Sequence, residues 1–205
     1  MLFRPVSAAF ALALAMVPAV AAAQRISFAP TVGVYIPTSE LIKAASGQQF
    51  KQEITIDVGG RLGIGLSRRL GVELAGTYAP SKLKFDLSST GGAATKIDAN
   101  VFSGSGKINL QLIPITSPVA FIVSGGVGVV RRSGAAYTDS PHKTDVGGVV
   151  GASLRLNLGG LLRLQFSAED YVYKAKYAPS LTTSGGFTLV DKTQNDIHLS
   201  VGIGL

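Results

Sequence analysis

Apolar side chains occupy alternate positions between Ile54 and Ser67. The apolar series is Ile54, Ile56, Val58, Gly60, Leu62, Ile64 and Leu66, and the intervening positions carry threonine, aspartate, arginine, serine and glycine. An α-helix would scatter both series around its circumference, whereas a β-strand directs successive side chains to opposite faces. This segment is therefore predicted to be a long strand with one apolar and one polar face.

The same alternation recurs along the rest of the chain. It is clear in the segments Ile26–Ile36, Leu162–Glu169 and Ile197–Leu205. Four other segments are blurred by glycine but keep β-branched residues, and they are Leu70–Ala79, Ile97–Leu112, Val119–Arg131 and Asp145–Asn157. Together these segments predict eight strands in a single all-β domain.

The connections between these strands alternate in length. Long polar stretches cover about 37–53, 80–96, 133–144 and 174–193, and short turns lie at 67–70, 114–118 and 158–161. Bacterial outer-membrane barrels have an even number of strands, short periplasmic turns and longer extracellular loops. The pattern predicts an eight-stranded antiparallel up-and-down transmembrane β-barrel with both termini in the periplasm and four loops outside.

The beginning of the chain has the layout of a secretory signal peptide. Arg4 precedes an apolar run from Val6 to Val17, which Pro18 and a stretch of small residues follow. This run is shorter than the roughly 20 residues that a membrane-spanning helix needs. We therefore expect cleavage after about Ala23, with a signal peptide at 1–23 and a barrel domain at 24–205.

Alternation alone leaves the outward face undecided. A secreted lipocalin-like barrel would turn its apolar face inward around a ligand. Charged residues make up 15% of the chain, against roughly 25% in ordinary soluble domains, so the inverted barrel would lack the charges that keep a surface soluble. An extracellular aromatic girdle is predicted from the tyrosines at strand ends beside long connections, which are Tyr35, Tyr78, Tyr171 and Tyr173.

In these respects the chain resembles the small outer-membrane barrel family typified by OmpX and the transmembrane part of OmpA. The signal peptide, the rhythm of strands and the final strand Asn195–Leu205 carry the resemblance. It implies a place in the bacterial outer membrane and recognition of the last strand by the barrel-insertion machinery. The sequence departs from the family in ending on Leu205 instead of an aromatic residue and in having no tryptophan.

Charged residues on the polar phase are expected to face the interior, where buried charges must pair. This set is Asp57, Arg61, Glu73, Lys107, Arg155, Arg163 and Glu169, with Asn109, Gln111 and Gln165 nearby. Eight strands enclose a space that side chains can fill. We expect a structural salt-bridge network in a polar, occluded interior, and a narrow channel for small molecules is the alternative.

Enzymatic chemistry has little support in the sequence. His198 and Ser200 form an H-x-S pair, the minimal arrangement of a base beside a hydroxyl nucleophile, and lipid A deacylases of the outer membrane use such a pair. The motif has no identified orienting acid. The chain has no cysteine, and its two histidines, His142 and His198, lie far apart in sequence, so neither a metal site nor a cofactor is predicted.

The formal charge of +7 points to a polyanionic partner. For an exported barrel this is lipopolysaccharide rather than nucleic acid, and solvated loop charge is the competing interpretation. The candidates near the extracellular strand ends are Lys82, Lys84, Lys96, Arg131, Arg132, Lys143, Lys174 and Lys176. The sequence as a whole predicts a monomeric, non-enzymatic outer-membrane protein that contributes to envelope integrity or surface interaction.

Overall fold

The computed structural model describes residues 25–38, 42–43, 49–85, 95–113, 118–138, 140, 142–159, 162–175 and 193–204. The predicted signal peptide at 1–23, Lys176 and Leu205 lie outside these residues. Within the described part of the chain, no helix is long and apolar enough to cross a membrane.

A closed antiparallel barrel of eight strands forms the body of the structure. In chain order the strands are β1 (Arg25–Pro37), β2 (Ile42–Lys43), β3 (Gln49–Gln52), β4 (Thr55–Gly65), β5 (Leu70–Ala79), β6 (Lys82–Phe85), β7 (Thr95–Asp98), β8 (Asn100–Gln111), β9 (Val119–Ser133), β10 (Thr144–Gly159), β11 (Leu162–Lys174) and β12 (Thr193–Gly204). The barrel runs β1-β12-β11-β10-β9-β8-β5-β4, and β4 pairs with β1 to close it. The prediction of an eight-stranded antiparallel barrel is confirmed.

The long connections at 37–53 and 80–96 are not simply polar loops, because a second sheet of order β2-β3-β6-β7 forms there. The pairing of β6 with β7, with Lys82 opposite Asp98, keeps the register in which β5 pairs with β8. The Ala99 amide donates to the Ser81 carbonyl at 2.8 Å and joins the two ladders. Continued pairing satisfies backbone groups that a polar loop would leave to water.

The barrel is apolar outside and charged inside. Large hydrophobic side chains exposed on its outer face include Ile26, Phe28, Val32, Ile56, Val58, Leu62, Leu74, Phe102, Ile108, Val127, Val150, Leu154, Phe166, Leu199 and Ile203. The buried polar set includes Asp57, Arg61, Glu73, Lys107 and Glu169. A soluble lipocalin-like barrel would have the opposite arrangement, and only a closed, apolar-belted barrel satisfies every backbone group in lipid. The structure is that of a transmembrane barrel.

Tight turns close the end of the barrel opposite the second sheet. In the β4–β5 turn, the Leu66 amide donates to the Leu70 carbonyl at 2.9 Å, and the Leu70 amide donates to Ser67 Oγ at 3.0 Å. Gly159, where β10 ends, has φ +102°, a conformation that favours glycine. We call this the short-turn end and the opposite one the long-loop end.

Aromatic and aliphatic side chains fill the lumen at the long-loop end. This aromatic core consists of Tyr35, Ala79, Leu83, Ala99, Val101, Val130, Ala136, Tyr137, Val149, Tyr171 and Tyr173. Ala136 and Tyr137 belong to a short 3-10 helix, Ala135–Tyr137. The sequence analysis predicts a polar interior, but the lumen is apolar over part of the height of the barrel.

The predicted tyrosine girdle is wrong for three of its four members. Tyr35, Tyr171 and Tyr173 are at most 3% exposed and lie in the aromatic core, whereas Tyr78 is 42% exposed on the outer face. The pleat decides this outcome, because Tyr171 and Tyr173 share the inward phase of Glu169. Interfacial preference cannot turn a side chain to the other face of its strand.

Leu74 lies midway along β5 and is 57% exposed to the lipid side. We expect Leu74→Arg to lower the free energy of unfolding in phospholipid vesicles by about 2–4 kcal/mol, because a charge near the bilayer midplane is poorly solvated. Urea titration of the refolded protein measures this loss. Leu112→Arg, beyond the end of β8, is the matched control and should cost about 1 kcal/mol or less. Equal losses at both positions would contradict the assigned outer face.

Candidate functional site in the barrel interior

Four charged side chains meet halfway along the lumen, and we call them the central cluster: Arg61, Glu73, Lys107 and Glu169. The Arg61 guanidinium lies 3.2 Å from Glu73 and 2.8 Å from Glu169. The Lys107 ammonium lies 2.9 Å from Glu73 and also contacts Glu169. Each cation thus contacts both carboxylates, and the cluster has no formal net charge.

The central cluster ties opposite walls of the barrel together. Arg61, Glu73 and Lys107 belong to the adjacent strands β4, β5 and β8, whereas Glu169 belongs to β11, which is not a neighbour of any of these strands. All four side chains are at most 7% exposed. Unpaired charges would be costly in this environment, so the mutual pairing is what makes their burial possible.

Two neutral side chains complete the hydrogen bonding of the cluster. Arg61 Nη2 donates to Ser200 Oγ at 2.9 Å, and Asn109 Nδ2 donates to Glu73 Oε2 at 3.1 Å. The site is therefore held by five strands, β4, β5, β8, β11 and β12. Such a network is rigid because each charged group is fixed by more than one partner.

A second buried pair lies nearer the long-loop end, where His198 Nδ1 is 2.6 Å from Asp57 Oδ2. The imidazole ring lies between Tyr35 and Tyr171, with ring centroids 5.2 and 5.1 Å away. Gly33 separates the two partners, and a Cβ atom there would come within 2.4 Å of Asp57 Oδ1. Glycine on β1 is what lets the carboxylate reach the histidine.

His198 and Ser200, the weak catalytic candidates, lie on one face of β12 but serve different clusters. Asp57 contacts the imidazole, and Ser200 Oγ accepts a hydrogen bond from Arg61. Both side chains are at most 5% exposed. The orienting acid that the sequence motif lacked is thus present as Asp57, yet the hydroxyl is engaged by a guanidinium inside the barrel, away from lipid.

Arg132, predicted to contact lipopolysaccharide, is buried inside the long-loop end, so this assignment is wrong. Its guanidinium lies 3.4 Å from Asp145 and 3.3 Å from Asp196, and it also donates to the Tyr173 hydroxyl. Tyr173 donates to Asp196 at 2.6 Å. Arg131 and Arg132 are adjacent on β9, and the pleat sends only Arg131 to the outer face.

The 3-10 helix covers this buried arginine from the loop side. Burial raises the pKa of the Tyr137 phenol to about 12, partly offset by the charge of Arg132. With this raised pKa, Tyr137 stays neutral at physiological pH. Gly134, with φ +103°, immediately precedes the helix, and a Cβ atom there would lie 2.5 Å from the Asp98 carbonyl oxygen.

Arg155 and Arg163 are placed apart from the central cluster. Arg155 Nε donates to Gln165 Oε1 at 3.1 Å. Among the described residues, no carboxylate lies within ion-pair distance of either arginine. The structure brings Arg61, Glu73, Lys107 and Glu169 together, pairs Asp57 with His198, and leaves these two cations at the short-turn end.

The other lipopolysaccharide candidates differ in their surroundings. Lys84 and Lys96 both pair with Glu53, at 2.7 and 3.0 Å. Lys143 is half-buried, and its ammonium donates to the Thr138 carbonyl at 3.0 Å. Lys82, Arg131 and Lys174 are exposed at the long-loop end.

Sequence reasoning missed three residues of these clusters. Asp145 and Asp196 pair with Arg132, and Gly33 makes room for Asp57. The alternation of β12 could have placed Asp196 in the interior, because it shares the phase of His198. Within the described residues, no group of three or more histidine, cysteine, aspartate or glutamate side chains is arranged to hold a metal ion.

Comparison with known proteins supports the architecture. The sequence matches no protein-family model and no curated protein sequence. Its structure is similar to the outer-membrane protein OprG from Pseudomonas aeruginosa, with TM-score 0.64 and 15% identity over 87% of this chain and 93% of that one. The chain has the fold of a small outer-membrane β-barrel. It is also similar to Neisserial surface protein A, with TM-score 0.58 and 12% identity over 89% and 97% of the two chains.

The fold is that of small outer-membrane β-barrels, as the resemblance implied, and an apolar belt around a polar interior is the arrangement that suits such a barrel to lipid. At such low identity, these two similarities establish the fold of the chain. The fold alone does not determine the function, which depends on the residues that this chain places at its sites.

Lys107→Met should strongly destabilise the barrel, because Arg61 would then face two carboxylates alone. Removing one partner from a buried ionic cluster typically costs about 3–5 kcal/mol. Urea unfolding in phospholipid vesicles measures the loss. Adding Glu169→Gln to the variant restores one cation to one carboxylate and should recover most of the stability. A single variant as stable as the wild type, or a double variant no better than the single, would contradict the cluster.

Proposed function

We propose that this protein is a non-enzymatic outer-membrane barrel whose interior is closed and whose long-loop end provides a surface for contacts at the cell exterior. The observation that carries the proposal is the central cluster, in which Glu169 on β11 reaches Arg61 and Lys107 on the far wall. Side chains that meet across the lumen occupy the space through which a solute would have to pass.

A second obstruction supports the closed interior. The Tyr171 hydroxyl donates to Ser105 Oγ at 3.1 Å, joining β11 to β8, and its ring packs on Gly128 of β9. A Cβ atom at Gly128 would come within 2.8 Å of that ring. The aromatic core and the central cluster therefore fill the lumen at successive levels, as is usual for barrels of this size.

The positions of His198 and Ser200 favour a role without catalysis. A hydrolase acting on lipid needs its nucleophile and base at a surface that an acyl chain can reach. Both side chains face the lumen, and the serine hydroxyl is bound to Arg61. In this arrangement they stabilise the interior.

Planar bilayer recording tests whether the interior is closed. We expect the wild-type protein to give no steady ohmic conductance, because two layers of side chains block the lumen. The Lys107→Ala/Glu169→Ala variant removes the contact between walls but keeps Arg61 with Glu73, and it should show more frequent brief openings. Tyr78→Ala on the outer face is the control and should behave as the wild type. Steady channels in the wild type would overturn the proposal and favour the small-molecule conduit.

The long-loop end offers cations to the phosphates of lipopolysaccharide. Arg131 lies opposite Phe102 in the register of β8 and β9, at the edge of the apolar belt, and Lys82 and Lys174 are exposed at the same end. Among the described residues, no carboxylate lies within ion-pair distance of these three. Basic side chains at this depth suit the anionic headgroups of the outer leaflet.

The Lys82→Gln/Arg131→Gln/Lys174→Gln variant should copurify with less lipopolysaccharide than the wild type, by about tenfold if each cation contributes about 0.5 kcal/mol. Quantifying lipid A phosphate in the purified protein measures this. Lys84→Gln/Lys96→Gln is the matched control, because these lysines already share Glu53, and its loss should be smaller. Unchanged retention in the triple variant would reject these residues as anchors.

The closing strand is part of the same proposal. β12 pairs with both β1 and β11, so the barrel cannot close without it. We propose that the segment Asn195–Leu205 is the part of the chain that the barrel-insertion machinery recognises, and that the closed barrel acts as a monomer.

A further inference from the structure

A cavity lined by several charged side chains opens at the short-turn end of the barrel, below the central cluster. Its volume is about 300 Å³, and the ends of β1, β4, β5, β8, β9, β10 and β11 form its wall. Four arginines line it, and we call the cavity the arginine vestibule: Arg68, Arg69, Arg155 and Arg163. Short turns face the periplasm in this architecture, so the vestibule opens toward periplasmic solutes.

The charge of the vestibule is not balanced by its own wall. Glu73 is its one acidic lining residue among the described part of the chain. That carboxylate is already shared by Arg61 and Lys107 in the central cluster and accepts a hydrogen bond from Asn109. The arginines of the vestibule are therefore left with an excess of positive charge.

Arg155 and Arg163 carry most of this imbalance, because they are half-buried and point into the lumen. They lie on adjacent strands, where Arg155 pairs in register with Gln165 and Arg163 with Asn157. Both arginines line the cavity. A pair of partly desolvated like charges is unfavourable unless an anion joins them.

The rest of the wall suits a small organic or inorganic oxyanion. The side-chain amides of Asn109 and Gln111 already donate to Glu73 and to the Ile113 carbonyl, and each has a second N–H group. Ala120 and Ile122 form a small apolar surface. The planar guanidinium group presents its N–H donors in a fork that matches two oxygens of a carboxylate or a phosphate, which it binds with paired hydrogen bonds. The volume is near the lower limit of small-molecule sites.

We propose that the arginine vestibule is a binding site for a small oxyanion, a phosphate or a carboxylate, with Arg155 and Arg163 as its principal ligands and Arg68 and Arg69 as its exposed rim. The site does not depend on the proposed surface role. It lies on the periplasmic side of the central cluster, so binding there needs no passage through the barrel.

Binding is tested with the full mature protein in nanodiscs of zwitterionic phosphatidylcholine, titrated with inorganic phosphate and separately with succinate. Nitrogen-15 labelling of the arginine side chains reports each guanidinium. We expect saturable shifts of the Arg155 and Arg163 signals, with a dissociation constant in the millimolar range or tighter, and no saturable shift of Arg132, which is already paired with Asp145 and Asp196 at the other end. Uniform, non-saturating shifts of all arginines would overturn the proposal.

Variants then assign the ligands. Arg155→Gln/Arg163→Gln should weaken binding at least about tenfold, because charged hydrogen bonds are lost at both positions. Lys84→Gln, at the other end of the barrel where Lys84 pairs with Glu53, is the matched control and should leave the affinity unchanged. Arg163→Lys keeps the charge but loses the paired donors, so it should weaken binding less than the double variant. Wild-type affinity in a folded double variant, judged by heat-modifiable gel migration, would also overturn the proposal.

The lipid composition of the nanodisc distinguishes a free solute from a lipid headgroup as the source of the oxyanion. Saturable shifts in phosphatidylcholine on adding phosphate or succinate support a free solute as the ligand. If a lipid headgroup is the ligand instead, nanodiscs containing phosphatidylglycerol should shift the same two arginine signals without added solute. Both results place an oxyanion between Arg155 and Arg163, and no response in either arm would reject the site.

Discussion

Closure of the sheet is the constraint on which the rest of this structure depends. β1 pairs with β12 on one side and β4 on the other, so no strand of the barrel has a free edge. Lipid offers no partner to an open edge. Closure also creates the lumen, and it obliges each strand to send alternate side chains into a confined space where charges must find partners.

The side chains that face the lumen form three layers along the barrel axis. At the long-loop end an aromatic core surrounds the Asp57–His198 pair and the buried Arg132. Halfway along the lumen, the central cluster sets two cations against two carboxylates. At the short-turn end the arginine vestibule holds cations without such compensation. The charges of the central cluster balance, which gives the cluster a structural role. The arginine vestibule has an excess of positive charge, which makes it a candidate binding site.

Glycines are as necessary to this interior as the charged residues. Gly33 leaves space for the Asp57 carboxylate, and Gly128 leaves space for the Tyr171 ring. In a narrow barrel, a large side chain on one strand requires a small one on a neighbouring strand or the opposite wall. Gly128 lies in β9, and glycines of this kind blur the alternation in the four less distinct barrel strands, β5, β8, β9 and β10.

The low fraction of charged residues in the sequence assigned the apolar face to lipid. The sequence by itself also determined the eight barrel strands and which side chains of each strand share a face, because the pleat has a period of two residues and needs no knowledge of neighbours. That rule places Arg132 and Tyr171 inside, against the interfacial roles assigned to them from residue type. Only the tertiary structure decided which inward charges meet. Glu169 reaches Lys107 because closure sets β11 across the lumen from β8, whereas Arg155 and Arg163 lie nearer the short-turn end and stay out of reach. Such contacts depend on barrel closure and strand register, and neither can be predicted from the local sequence pattern of a single strand.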